Sequence, residues 1–187
     1  PFDPLKARTV VAQWPRMAAF LATQSHAKGL HGRALADADC PPIAPQWRYF
    51  EQGEGAQSKN SSAPFELLPS SLTLSQKRAA VTMWMMAQSP IVVGGSLPLD
   101  DATLGLLTHR EVLSINQNAS QTVVVAPGCD SVLRPTCVWL SRFRESAVFY
   151  LGLFNLGKEG VQMSLEPQGI KGDKPIDVWD GVPIRVA

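Results

Sequence analysis

Leu5, Val10, Val11, Trp14, Met17, Ala18 and Leu21 recur at three- and four-residue spacing behind an Asp3-Pro4 pair suited to an N-cap and first helical position. The pattern predicts an amphipathic helix, broken at Gly29 to Gly32. Arg33 to Asp39 follows as a short strand ending in acidic residues, and Pro41 to Ser71, rich in Pro, Gly, Ser and Gln, reads as an unusually long loop. Thr73-Leu74-Ser75-Gln76 has the spacing of a capping box, which starts a second helix. Ala79, Ala80, Met83, Trp84 and Ala87 form its inward face, and Ser89-Pro90 ends it. Ile91-Val92-Val93, closed by Gly94-Gly95-Ser96, predicts a short parallel strand buried on both faces. Asp100 or Asp101 caps the next helix, which carries Leu104, Leu107, Val112, Leu113 and Ile115, breaks near Thr108 and stops at Asn116 to Asn118.

After residue 118 the periodicity changes. Gln121–Ala126, Cys137–Phe143, Ala147–Asn155, Val161–Leu165 and Ile176–Trp179 are strand-like runs separated by Gly, Pro, Asp and Lys turns. The expected class is α/β followed by all-β, with an antiparallel module from about residue 119 onward.

Composition narrows the function. Of 187 residues, 45% are apolar and 18% charged, which suits a chain that builds a core. Lys plus Arg total 17 against 16 acidic residues, a net charge of +1, so no basic surplus exists to neutralise phosphates and nucleic acid is not an expected partner. No apolar run approaches the roughly 18 to 20 residues of a bilayer span, and the first residues lack a basic-then-apolar leader, so no membrane association is expected. Pro1 in place of an initiator methionine reads as a chain that continues upstream. Cys40, Cys129 and Cys137 cannot all pair internally, and the spacing of Cys129 and Cys137 admits a local disulfide in an oxidising compartment. Asn60-Ser61-Ser62 and Asn118-Ala119-Ser120 are glycosylation sequons, short enough to arise by chance, that tip the balance slightly toward a secreted or lysosome-like location.

Nucleotide-binding, zincin, paired CxxC and GxSxG signatures are absent. Asp37 and Asp39 stand out, because a two-residue step on an extended strand points both carboxylates to one side. In a dry cleft their repulsion would raise one pKa for proton handling, although spacing alone favours a solvated turn before Pro41-Pro42. Gly94-Gly95 would admit a close ligand, but a tight turn is the commoner use. The cluster Met83 to Met86 fits a packed core better than a binding surface, and Trp139 and Trp179 fit core packing better than sugar stacking. His26, His31, His109 and Glu111 converge on no ligand set, so no metal is assigned.

Leu72-Thr73-Leu74-Ser75-Gln76-Lys77-Arg78, followed by Met83-Trp84-Met85-Met86-Ala87-Gln88-Ser89-Pro90-Ile91-Val92-Val93-Gly94-Gly95, resembles the alpha-galactosidase (melibiase) family of glycoside hydrolases. Leu106 to Gln117 looks like that family's "LLTN-EVLAINQ" segment, Ala36-Asp37-Ala38-Asp39-Cys40 its "PDADM" strand end, and Phe149 to Leu156 its "ALFNL" strand. The resemblance runs in order along nearly the whole chain.

What it implies is the C-terminal portion of a (β/α)8 barrel at 1–118, holding only its last two strands near 35–39 and 91–93, and an incomplete β-sandwich domain at 119–187. The family's nucleophilic and acid/base aspartates lie on earlier strands, about 5 Å apart across the scissile bond, so no catalytic residue is expected in this chain. By position, Asp39 matches a pocket aspartate near the bound sugar, Asp37 a supporting carboxylate and Cys40 a pocket methionine. No cofactor is implied. The expected partners are an alpha-galactoside-like carbohydrate and the missing N-terminal part of the same protein. Leu35, Cys40 and residues 44 to 71 depart from the family's aromatic residue, methionine and shorter connection, so the exact glycoside is not fixed. The rival expectation is a non-catalytic carbohydrate-binding or interaction protein on a degenerate glycosidase scaffold.

Overall fold

A computed structural model describes residues 41, 43–49, 65–70, 72–126, 128–129, 134–143, 148–163 and 175–183. The expected first helix and the strand near 35–39 lie outside the described residues.

The supposed loop from 41 to 71 contains a strand pair. β1 (Gln46–Tyr49) runs antiparallel to β2 (Phe65–Leu68), with Gln46 opposite Leu68 and Tyr49 opposite Phe65. Trp47, Tyr49 and Phe65 are residues that favour a pleated surface, a local preference that the surrounding Ser, Gly and Gln content obscured.

α1 (Leu74–Met86) begins where the capping box requires. Thr73 Oγ1 accepts from the Gln76 amide at 3.3 Å, and Gln76 Oε1 accepts from the Thr73 amide at 2.9 Å. Its last turn is buried on every side, with Met83, Trp84, Met85 and Met86 all in the core. Two further helices and the second sheet explain this burial. α2 (Asp101–Leu107) and α3 (Arg110–Asn118) are separated at Thr108, as the pattern predicts, and both pack on α1. Asn116 Nδ2 donates to the Ser89 carbonyl at 3.0 Å, tying α3 to the chain leaving α1, and Gln88 Nε2 donates to the Ala119 carbonyl.

β3 (Ala119–Ala126), β4 (Thr136–Phe143) and β5 (Phe149–Asn155) form an antiparallel sheet with β4 central. Trp139 is fully buried and meets the Phe154 ring edge-on at 5.4 Å; both join the α1 core cluster, which bears out the packing reading of Trp139. Opposite Thr122 stands Ser141, and their buried hydroxyls share a hydrogen bond at 2.6 Å. The disulfide that the spacing admits joins Cys129 to Cys137 between the end of β3 and the start of β4, with Cα atoms 5.4 Å apart.

Three predicted strands differ. Ile91–Val93 forms no ladder: no described strand lies beside it, and Val92 and Val93 are 55% and 40% exposed rather than buried on both faces. A β-branched run becomes a strand only when neighbouring backbone accepts its hydrogen bonds. Residues 161–163 likewise pair with no described strand, and 164–165 lie outside the described residues. Ile176–Trp179 is a single bridge, Ile176 to Pro183, followed by a turn. Asp177 Oδ1 accepts from the amides of Trp179 at 2.8 Å and Asp180 at 3.2 Å, and Gly181 takes φ +66°, so the aspartate curls the chain locally instead of leaving it extended.

Candidate functional site

Asp37, Asp39 and Cys40 lie outside the described residues; the chain is described again from Pro41, directly beyond them. Pro41, Ile43 and Ala44 are buried, and the Ile43 amide donates to the Pro41 carbonyl at 2.8 Å, a tight turn immediately after Cys40. That turn is fastened to the glycines after Ile91–Val93. The Ser96 amide donates to the Pro45 carbonyl at 2.8 Å, and Gly95, at φ +122°, lies so close that a Cβ there would overlap the Pro45 carbonyl oxygen. Gly95 is therefore required by a neighbouring backbone and by its own positive φ. The segment after the paired aspartates and the turn after the apolar triplet are held side by side, although 50 residues separate Pro45 from Gly95 in sequence.

Two polar clusters flank α1. Lys77 is buried, and its Nζ donates to Thr103 Oγ1 at 2.7 Å and to Asp100 Oδ2 at 3.3 Å. Asp100 caps α2 by accepting from the Thr103 amide at 2.8 Å and from the Thr103 hydroxyl at 2.7 Å. Those two Thr103 donors, with a smaller contribution from Lys77, hold the Asp100 carboxyl down at about 2. Every group in this cluster has a partner, so it braces α1 against α2.

The second cluster gathers the C-terminal turn. Trp179 Nε1 donates to Thr82 Oγ1 at 3.1 Å, the Arg78 guanidinium lies 5.4 Å from the Trp179 ring, and the His109 ring is 5.0 Å away. Arg78 also pairs with Asp180 at 3.2 Å. Trp179 thus anchors residues 176–183 on α1 and its neighbour, the packing role expected for it. Among the described residues nothing hydrogen-bonds the buried His109 Nδ1, and burial, followed by the charge of Glu111, pushes the Tyr150 phenol upward. Neither cluster was singled out from the sequence. One signal was there: Lys77 falls on the same helical face as Ala80 and Trp84, an apolar stripe where a lysine needs a buried acceptor.

No protein-family model matches the chain, and no curated protein matches it. Solved structures do. A GH27 β-L-arabinopyranosidase from Geobacillus stearothermophilus superposes with a TM-score of 0.70 at 23% identity, over 93% of this chain and 37% of that one. The chain resembles part of a GH27 glycosidase. A variant of the same enzyme in complex with arabinose gives the same figures, and a candidate alpha-N-acetylgalactosaminidase from Bacillus halodurans gives a TM-score of 0.68 at 24% identity, over 94% of this chain and 39% of that one. The chain therefore spans less than two fifths of the length of the GH27 structures it matches.

Proposed function

We propose that this chain is the C-terminal portion of a retaining alpha-glycosidase acting on terminal alpha-galactoside-like sugars, supplying pocket wall and β domain while the nucleophile and acid/base aspartates stand upstream. The observation that carries the reading is the fold likeness, which takes in 93% of this chain but 37% of a GH27 enzyme. In this reading residues 1–118 close a barrel and 119–187 begin a β-sandwich. Arabinopyranose in the β-L form and alpha-galactose share ring stereochemistry and differ at the exocyclic hydroxymethyl group, so the sugars named for the matched structures agree with a galacto-configured substrate.

Asp39 and Asp37 are the proposed substrate-binding carboxylates, accepting hydrogen bonds from sugar hydroxyls, with Cys40 shaping the wall beside them. The fastening of Pro45 to Gly95 and Ser96 supports a shared rim, because it sets the residues after Asp39 against the turn after Val93. Chemistry requires both carboxylates of a double displacement, and none is assigned here.

The test is an assay of the 187-residue chain and of its upstream-extended form on aryl glycosides of alpha-galactose, β-L-arabinopyranose and alpha-N-acetylgalactosamine. We expect turnover only from the extended form, with Asp39→Asn raising KM on the preferred sugar. Turnover by the short chain ends this reading. An inactive extended form that still binds the sugars in calorimetry favours the carbohydrate-binding alternative.

A further inference from the structure

Asn118 is the last residue of α3 and β3 begins at the next one, so the sequon Asn118-Ala119-Ser120 occupies the corner between the helices and the sheet. The Asn118 side chain is exposed, and its Nδ2 donates to the Ser114 carbonyl at 3.1 Å and the Ser114 hydroxyl at 3.2 Å. A three-residue motif alone would be weak. The second observation is the Cys129–Cys137 disulfide at the far end of the same β3 strand, with each cysteine 1% exposed. A bridge sealed within the fold must close while the chain folds, and such bridges form and persist in oxidising secretory compartments. That is also where asparagine-linked oligosaccharide is attached.

We propose that Asn118 is an N-glycosylation site, on a chain that folds in an oxidising secretory compartment. This is independent of the glycosidase reading. The co-substrate is an oligosaccharide joined to a polyisoprenyl diphosphate. Asn118 Nδ2 forms a bond to the anomeric carbon as the bond from that carbon to the diphosphate oxygen breaks. The polyisoprenyl diphosphate leaves with the electron pair, and the amide proton passes to a base of the transferase. The product amide keeps one N–H, which suffices for the bond to the Ser114 carbonyl. Asn60-Ser61-Ser62 lies outside the described residues and carries no part of the proposal.

The full chain, secreted from a eukaryotic host behind a leader peptide, is deglycosylated enzymatically in heavy-oxygen water and digested with trypsin without reduction. Because Arg134 precedes Pro135, trypsin leaves one peptide from Glu111 to Arg142 that holds Asn118, Cys129 and Cys137 together. We expect it to lack two hydrogens and to carry a heavy-oxygen aspartate at 118. Asn118→Gln and Ser120→Ala each remove the label and the glycan mobility shift at this site without abolishing secretion. The second leaves the acceptor amide intact. An unlabelled Asn118 in disulfide-closed secreted protein overturns the site, and free thiols at 129 and 137 overturn the compartment.

Discussion

Gly152 sits where the sheet meets α1. A Cβ added there would lie 2.5 Å from Met86 Sδ and 2.6 Å from the Phe154 ring, inside a core with no slack. Gly152→Ala will lower unfolding free energy by about 1 to 3 kcal/mol in urea titrations, and adding Met86→Ala will recover part of the clash while opening a cavity. Asp100 gives a pH signature instead. Its folded carboxyl is held at about 2 against an ordinary 3.8, so its stabilisation is present above the ordinary value and is lost as pH falls through that interval. Thermal melts of the chain between pH 4 and pH 2 will lose a component that Asp100→Asn, which still caps but does not titrate, leaves flat. Such capping residues were legible because their partners stand three positions away. The Lys77 to Thr103 contact, 26 residues apart, was not, since only the packing of α1 on α2 brings those atoms together.

Among the elements, legibility followed whether a segment's geometry depends on itself or on a neighbour. The helix starts at Thr73 and Asp100, the interruption at Thr108 and the central strands of the β module were readable, because caps and alternation are local signals. Ile176–Trp179 was misread because Val178 and Trp179 carry strand propensity while the side chain of Asp177 bends the backbone around itself. β1 and β2 were missed because their aromatic residues are set in loop-like sequence. The spacing of Cys129 and Cys137 admits the disulfide without deciding it, and its contribution follows from the short loop it closes. Replacing both Cys129 and Cys137 with alanine will cost about 2 to 3 kcal/mol, measured by chemical denaturation, on the chain-entropy estimate for a loop of this length. Beside the bridge, Gly128 leaves no room for a Cβ next to the Thr136 carbonyl.

For the whole molecule, the proposed reading links the run Ile91–Val93 to the partial coverage of GH27 structures. Val92 and Val93 are exposed here, yet their sequence is that of a strand covered on both faces. If the missing length of a GH27 fold covers them, Val92→Thr and Val93→Thr will change the stability of the 187-residue chain by no more than about 0.5 kcal/mol. In the upstream-extended form each will cost about 1 to 3 kcal/mol, because the hydroxyl is then buried without a partner. Equal effects in both forms would refute that covering. Asp37, Asp39 and Cys40 rest on the family resemblance alone as proposed site residues, since their spacing favours a solvated turn. The clamp between Pro45 and Ser96 carries a cellular consequence of its own. It fixes where the two exposed valines stand, Val92 at 55% and Val93 at 40%, so a chaperone that reads apolar surface would meet them at a set place beside the Pro45 turn.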